Sequence, residues 1–487
     1  MKNGRKKPSI VFIAVYDQDS LSVRTLQTVI EKQQYEVNSI FIKQSFELFG
    51  SISEIKAEEY DMLLDLLKDV KPDVIGISVR SAVLFPLAAQ ITRRIKEASD
   101  AHVIWGGIYP TLCPEESLEY ADMVCVGEGE ETILELMDRI NKEMDFSDID
   151  NLCLKKGGNI VKNRLRPVIQ DLDSIPFPDF SDNNKYYITG SRLYRSRPRP
   201  RIQYDILAGR GCIFGCTYCS TTEAKKLYSN EVNYVRRRSV ENVIDELSAA
   251  VSNSGEIKKV LFYDGIFIRD KNWLEEFCSK YKEKVGLPFF GYPHPLKTDD
   301  EMLAILKNAG LNVLRVGFQS GSDRIRNEIY NRPESKTDVI ELGKLINKHK
   351  IPVSYDIIID NPLETEEEMF ESLDLLLSLP KPFLVNVHRL CYYPKSEINE
   401  KVKGIDESDK RKRRKNIFPL DVKDDKYQMF WCSIYYLAGR RYIPNKIICL
   451  FSKSRLLRKN PYILAFTIDR LYRMYFYILV IFNRQQG

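Results

Sequence analysis

Short apolar runs rich in Val and Ile recur through the first 145 residues, separated by segments whose apolar positions fall three and four apart. The runs have the pattern of buried strands and the segments that of amphipathic helices, so their alternation predicts βα units around a parallel sheet. Five strands are expected, at Ile10–Val15, Val37–Ile42, Asp73–Val79, His102–Trp105 and Asp122–Val126. Helices are expected over Leu21–Lys32, Glu58–Val70, Val83–Ala98, Pro114–Glu119 and Glu130–Lys142. Residues 1–145 thus form a doubly wound α/β domain of flavodoxin type.

Over residues 146–200 the alternation breaks. KKGGN marks a hairpin turn, and the closely spaced prolines of IPFPDF and SRPRP argue against regular structure, so this stretch is expected to be a linker. Between residues 201 and 395 the alternation resumes. Strands are expected at Gln203–Ala208, Lys259–Tyr263, Val313–Phe318, Val353–Ile359 and Leu384–Leu390, with helices over Val240–Val251, Trp273–Lys284, Asp299–Ala309, Thr337–His349 and Glu364–Ser378. The pattern holds six strands with helices between them, these five and one that it does not bound, and predicts a partial (β/α)6 barrel rather than a second open sheet.

Residues 396–487 depart from this pattern and are expected to be mainly helical, basic and rich in aromatics. Segment Tyr462–Phe482 is nearly all apolar, but Asp469, Arg470 and Arg473 interrupt it, and its longest charge-free stretch, Met474–Phe482, is nine residues. Spanning hydrocarbon takes roughly 20. It reads either as a buried helix against the barrel or as a helix lying in the plane of a membrane surface.

Composition adds a charge asymmetry. The 487 residues carry a net +5, but Lys401–Gly487 holds 20 Lys and Arg against 7 Asp and Glu, leaving −8 on residues 1–400. An anionic partner is expected for the tail, such as a membrane surface, phosphate or nucleic acid. The length rules out a single small binding module. Ten cysteines are few for this length and mostly scattered, which argues for a reducing compartment rather than a disulfide framework. The apolar run Ile10–Tyr16 meets Asp17 with no cleavage site, so it reads as a strand and not as a signal peptide.

Only Cys212, Cys216 and Cys219 cluster, in GRGCIFGCTYCS. The glycines at 209, 211 and 215 let the backbone fold around an inorganic core. A structural zinc site takes four protein ligands, and no fourth Cys or His lies nearby in sequence. Three thiolates on a four-iron cluster leave one iron open to bind and reduce a substrate or cofactor.

These three cysteines, with Tyr218 before the last, resemble the C-x-x-x-C-x-aromatic-C motif of radical S-adenosylmethionine (SAM) enzymes. The resemblance implies a 4Fe-4S cluster whose open iron chelates SAM, and reductive cleavage of SAM to a 5′-deoxyadenosyl radical. It places further SAM contacts at Asp264 and Gly265 in VLFYDGIF, at Gln319, Ser320 and Arg332 in VGFQSGSDRIRNEIYNR, and at Ile357 and Ile359 ahead of DNPLETEEE. Gln319 stands where Glu is commoner and Asn361 where Gly is usual. The loops GISVRSA, WGGIYPTLCPEE and VGEGEETILEL resemble, in the same order, those of cobalamin-binding domains in B12-dependent radical SAM enzymes. That implies cobalamin contacts at Ser78, Gly106, Gly107, Gly127, Glu128 and Gly129. No D-x-H-x-x-G motif follows strand one (VYDQDSLSV), so base-off cobalamin without a protein histidine ligand is expected.

The function implied is methylation of an unactivated carbon, or phosphorus, in which a substrate radical takes a methyl group from methylcobalamin. Two alternatives stand beside it: a non-methylating cobalamin-dependent cyclase or rearrangement enzyme, and a cobalamin-binding regulator with an inactive barrel. A small-molecule or lipid-linked substrate and a flavodoxin or ferredoxin electron donor are expected, with no nucleic acid. The location expected is cytoplasmic, with the tail touching the inner membrane face. His294 and His388 lie near barrel strand ends, where either faces substrate or serves the core.

Overall fold

The structure is a computed structural model that describes residues 7–43, 54–228, 233–393, 396–403 and 426–464. The basic run at 409–416 and segment Tyr462–Phe482 beyond its first three residues lie outside the described residues. The described chain forms two compact units. One runs to Gly265 and includes Tyr393 and residues 396–399, and the other holds the rest.

In the first unit, strand β1 (Ser9–Val15) is buried at every position. Val11, Ile13 and Val15 pack with Leu63, Leu67, Leu87 and Ile91, while Ile10, Phe12 and Ala14 pack with Ile30, Ile133 and Leu136. Because successive side chains alternate faces, a strand apolar from Ile10 to Val15 must be covered on both sides, and helices on each face do so. Strands β2 (Glu36–Ile42), β3 (Val74–Ser78), β4 (His102–Gly106) and β5 (Met123–Cys125) complete the expected set in the order β5-β4-β3-β1-β2, all parallel. The order reverses between β1 and β3, and a sheet of this kind opens a ligand crevice beyond its carboxyl ends there.

Residues 146–200 are not the structureless linker expected from the prolines. They add β6 (Leu152–Lys156) and β7 (Asn159–Lys162), a hairpin antiparallel to β5, and β8 (Lys185–Thr189) and β9 (Arg192–Tyr194) beside β2, making nine strands. The prolines fall between these strands, while KYYIT has the β-branched and aromatic residues that strands favour. The additions also pair the edges that a five-stranded sheet would leave open.

The first unit continues with β10 (Gln203–Ile206), β11 (Gly209–Arg210), β12 (Arg236–Arg237) and β13 (Lys259–Phe262). β10 and β13 pair in parallel, and β11 and β12 form a short antiparallel ladder. The second unit holds β14 (Phe289–Gly291), β15 (Leu311–Gln319), β16 (Val353–Ile359) and β17 (Leu384–Arg389), paired in parallel in that order. β14 is the strand for which the sequence pattern sets no bounds. At three residues it is too short to show a period. In β15, Leu314, Val316 and Phe318 are buried, and Arg315, Gly317 and Gln319 alternate with them on the other face. Helix Lys426–Ala438 of the basic region packs on helix Glu366–Ser378, with the Tyr435 hydroxyl donating to the Met369 carbonyl at 2.9 Å and Trp431 edge-on to Phe370.

Candidate functional site

The carboxyl ends of β3, β4 and β5 open into a cavity of about 570 Å3 in the first unit. Ser78, Gly106, Gly107, Gly127, Glu128 and Gly129, the residues expected to contact cobalamin, all line it. So do Gly209, Arg210, Gly211 and Gly265, from the segments that flank the cysteine loop. A β-carbon on Gly106 would have no heavy atom closer than Cys125 Cβ at 4.0 Å, so the space beside that backbone is open to a ligand. Gly107 and Gly127 have φ of 105° and 90°, a region side chains disfavour, and a β-carbon on Gly127 would collide with the Tyr228 hydroxyl. A group laid on backbone thus fits beside Gly106, whereas the Val79 carbonyl and the Tyr228 hydroxyl close the space beside Gly107 and Gly127. Among the described residues that line the cavity there is no histidine, and His102, which begins β4, is exposed and edge-on to Phe146.

The Glu128 side chain is engaged elsewhere. Its Oε1 accepts from Arg210 Nη1 at 2.8 Å and from Arg236 Nη2 at 2.9 Å, and its Oε2 accepts from Arg236 Nη1 at 3.0 Å and the Ile169 amide at 2.8 Å. Burial alone would raise its pKa, but the two guanidinium groups hold it below the usual carboxylate range. Position 128 therefore offers the cavity backbone rather than a free carboxylate.

The loop from Gly211 to Cys219 carries the three cysteines. Cys216 is buried, Cys212 and Cys219 are half-buried, and Cys219 caps the start of helix Ser220–Lys226. Gly211 has φ 86° and lies against the Tyr234 carbonyl, where a β-carbon would not fit. A β-carbon on Gly265 would stand 3.9 Å from Cys212 Sγ, so Gly265 borders the first cysteine. Asp264 Oδ2 accepts from the Ala208 amide at 2.9 Å, which fixes the chain entering the loop. Tyr218 is half-buried within the loop. Among the described residues no three Cys, His, Asp or Glu side chains converge tightly enough for a single metal ion. A four-iron cluster instead takes each of its three thiolates on a separate iron, and the soft thiolate set suits iron and sulfide.

The remaining expected SAM contacts lie in the second unit. Gln319 ends β15 with φ 67°, at a register break with β16, a strained conformation of the kind found at functional positions. The turn after it is tightly held. Ser320 Oγ donates to Glu364 Oε1 at 2.9 Å, the Gly321 amide donates to Ser372 Oγ at 2.7 Å, and Ser322 Oγ donates to Glu368 Oε1 at 2.9 Å. A β-carbon on Gly321 would run into the backbone of helix Glu366–Ser378. Arg332 is buried, with its guanidinium on Glu334 and on the Gly317 carbonyl at 2.7 Å. Ile357 and Ile359 are each 1% exposed on the face of β16 that carries Tyr355, while Asp356 stands on the other face.

The two histidines separate. His294 is buried, its Nδ1 accepting from the Leu296 amide at 3.3 Å and its Nε2 lying 3.5 Å from Glu334. His388 is 42% exposed at its side chain, and its Nε2 is 2.7 Å from Arg315 Nη2. Arg315 also donates to both oxygens of Asp356, which accepts from Asn386 at 2.9 Å.

Sequence reasoning missed Arg210, Arg236 and Glu364. Arg210 carried a signal, a fixed positive charge two residues before a cluster cysteine. Arg236 lies in an RRR run that reads as solvated surface, and nothing local marks Glu364 among the acidic residues of LETEEE.

A model of the radical SAM superfamily matches residues 206–376, and one of the B12 binding domain matches residues 10–137. An uncharacterized methyltransferase of Pyrococcus horikoshii is 27% identical over 316 residues, 62% of this chain and 64% of that protein's length. The cytidylyl-2-hydroxyethylphosphonate methyltransferase of Streptomyces wedmorensis is 24% identical over 399 residues, 73% of this chain and 72% of that one. Among solved structures, the radical SAM methyltransferase TsrM of Kitasatospora setae, with tryptophan and a SAM analogue bound, covers 80% of this chain and 75% of its own at TM-score 0.63 and 16% identity. The chain thus spans just under two thirds of the first of these relatives.

Proposed function

Because the chain belongs to the radical SAM superfamily and carries a B12-binding domain ahead of its radical SAM domain, we propose that it is a cobalamin-dependent methyltransferase acting on an unactivated carbon or phosphorus centre. The observation that carries this reading is the single cavity lined both by the loops after β3, β4 and β5 and by the segments flanking the cysteine loop. Bound there, the cluster supplies an electron for SAM cleavage, and cobalamin carries the methyl group. The relatives named as methyltransferases support this outcome over a cyclase or a silent regulator.

In this reading Cys212, Cys216 and Cys219 hold the cluster. Gly106, Gly107, Gly127 and Gly129, with Ser78, seat cobalamin on backbone. Asp264 and Arg332 act on the SAM site through the chain segments they hold, and Gln319 and Ser320 shape its edge. The chain's contribution is placement of reacting groups and exclusion of water. The test is anaerobic reconstitution with iron, sulfide, cobalamin and SAM under an external reductant, followed by mass spectrometry for 5′-deoxyadenosine and for a methylated product in a host extract. Both are expected from the wild type, and neither from Cys216→Ala. Deoxyadenosine from Cys216→Ala would overturn the assignment.

The tail supports a finer reading of location. Residues 440–464 hold seven Lys and Arg and no acidic residue. Beside them Tyr442, Leu450, Leu456 and Ile463 remain 92%, 69%, 67% and 60% exposed. Apolar side chains set among cations suit an anionic lipid surface, from which a lipid-linked or amphipathic substrate would be reached. Among the described residues no helix is long and apolar enough to cross a membrane. Co-sedimentation with vesicles of phosphatidylglycerol and phosphatidylcholine is expected for the wild type, and loss of it for Leu450→Glu/Leu456→Glu. Equal recovery of both proteins in the supernatant would remove the membrane contact.

A further inference from the structure

Glu128 joins two loops that are 82 residues apart in the chain from Glu128 to Arg210. It follows Gly127 at the cavity, and its carboxylate is held by Arg210, two residues before Cys212, and by Arg236, the cross-strand partner of Arg210 in the β11–β12 ladder. Arg210 Nη2 also donates to Glu130 Oε1 at 2.5 Å, and Arg236 Nη1 to the Ile169 carbonyl at 2.6 Å. The side chains are 18% exposed at Glu128, 28% at Arg210 and 4% at Arg236. Two guanidinium groups adjacent across a ladder repel unless an anion sits between them. Every lone-pair direction of that anion is taken, so the loop after β5 cannot shift without releasing both arginines together.

We propose that Glu128, Arg210 and Arg236 are positioning residues that couple the two cofactor sites, so that seating cobalamin on Gly127–Gly129 and folding Gly211–Cys219 around the cluster stabilise one another. The proposal rests on the cofactor assignment above. Coupling between sites is reciprocal: whatever factor the cluster adds to cobalamin affinity, cobalamin adds to cluster retention.

The test uses the full chain under anaerobic conditions, with and without reconstituted cluster, and measures hydroxocobalamin bound after ultrafiltration. In the wild type the cluster is expected to tighten cobalamin binding by about five-fold or more. In Glu128→Gln, which keeps the shape and removes the charge, affinity is expected to be the same with and without the cluster. Iron release to a chelator is read in parallel. Cobalamin should slow it in the wild type and leave it unchanged in the variant. A merely stabilising ion cluster would lower the melting temperature of the variant but preserve the ratio, and that result overturns the proposal. Arg210→Lys, which keeps charge and loses the fork, is read in the same way should Glu128→Gln fail to fold. A wild type that binds no cobalamin or assembles no cluster overturns the functional reading itself, whereas equal affinity with and without cluster in a competent wild type overturns the coupling alone.

Discussion

Glu128 and Glu364 are the same side chain in the same kind of place, a loop just beyond the carboxyl end of a parallel strand, and their surroundings shift their pKa values in opposite directions. At Glu128 two arginines and an amide more than offset burial, and the carboxylate stays ionised. At Glu364 burial dominates, the nearby Glu368 and Glu371 add to it, and the Ser320 hydroxyl and Arg324 offset them only in part, so the pKa rises to about 8. One region fastens its loop with charge. The other fastens its turn with a network in which burial favours the protonated carboxyl. The environment, not the residue type, sets what a carboxyl group can do at a strand end.

The largest effect that separates the two regions is expected from Glu128→Ala, which leaves two partly buried guanidinium groups without their shared anion. A loss of about 3–5 kcal/mol should appear in chemical denaturation at neutral pH, where Glu364→Ala should cost less. The pH dependence should then run in opposite directions. The lowered pKa of Glu128 contributes stability above its unfolded value, which is lost as pH falls, so the deficit of Glu128→Gln should shrink in acid. The raised pKa of Glu364 contributes stability below its unfolded value, which is lost as pH rises towards 8, so Glu364→Gln should gain on the wild type over that window. The gain expected at pH 8 is about 1–3 kcal/mol, read as melting temperature against pH. Parallel profiles for the two variants would end the contrast. Smallest is Ser320→Ala, which removes one donor to Glu364 and should cost about 1 kcal/mol while moving the titration of Glu364 further upward.

Much of the architecture was legible in the chain. β1, β2 and the helices beginning at Leu21 and Glu130 follow from apolar spacing because both faces of the strands are buried and the helices each bury one. Strands that lack that contrast were not legible: β14 at three residues, and β8 between two proline clusters. The cavity residues were legible because glycines at strand ends leave a local mark, whereas the partners of Glu128 were not, since Arg236 gains its role only when β12 pairs with β11.

Local chemistry in the chain was enough to set the three-thiolate loop, the glycine loops after β3, β4 and β5, and the alternation that makes two α/β domains, because each depends on residues within a few positions of one another. Long-range packing settled the opposite pKa shifts of Glu128 and Glu364, the hidden phase of Ile357 and Ile359, and the lining of one cavity by two distant loops. Desolvation and ion pairing depend on which segments meet in space, and no spacing along the chain encodes that directly.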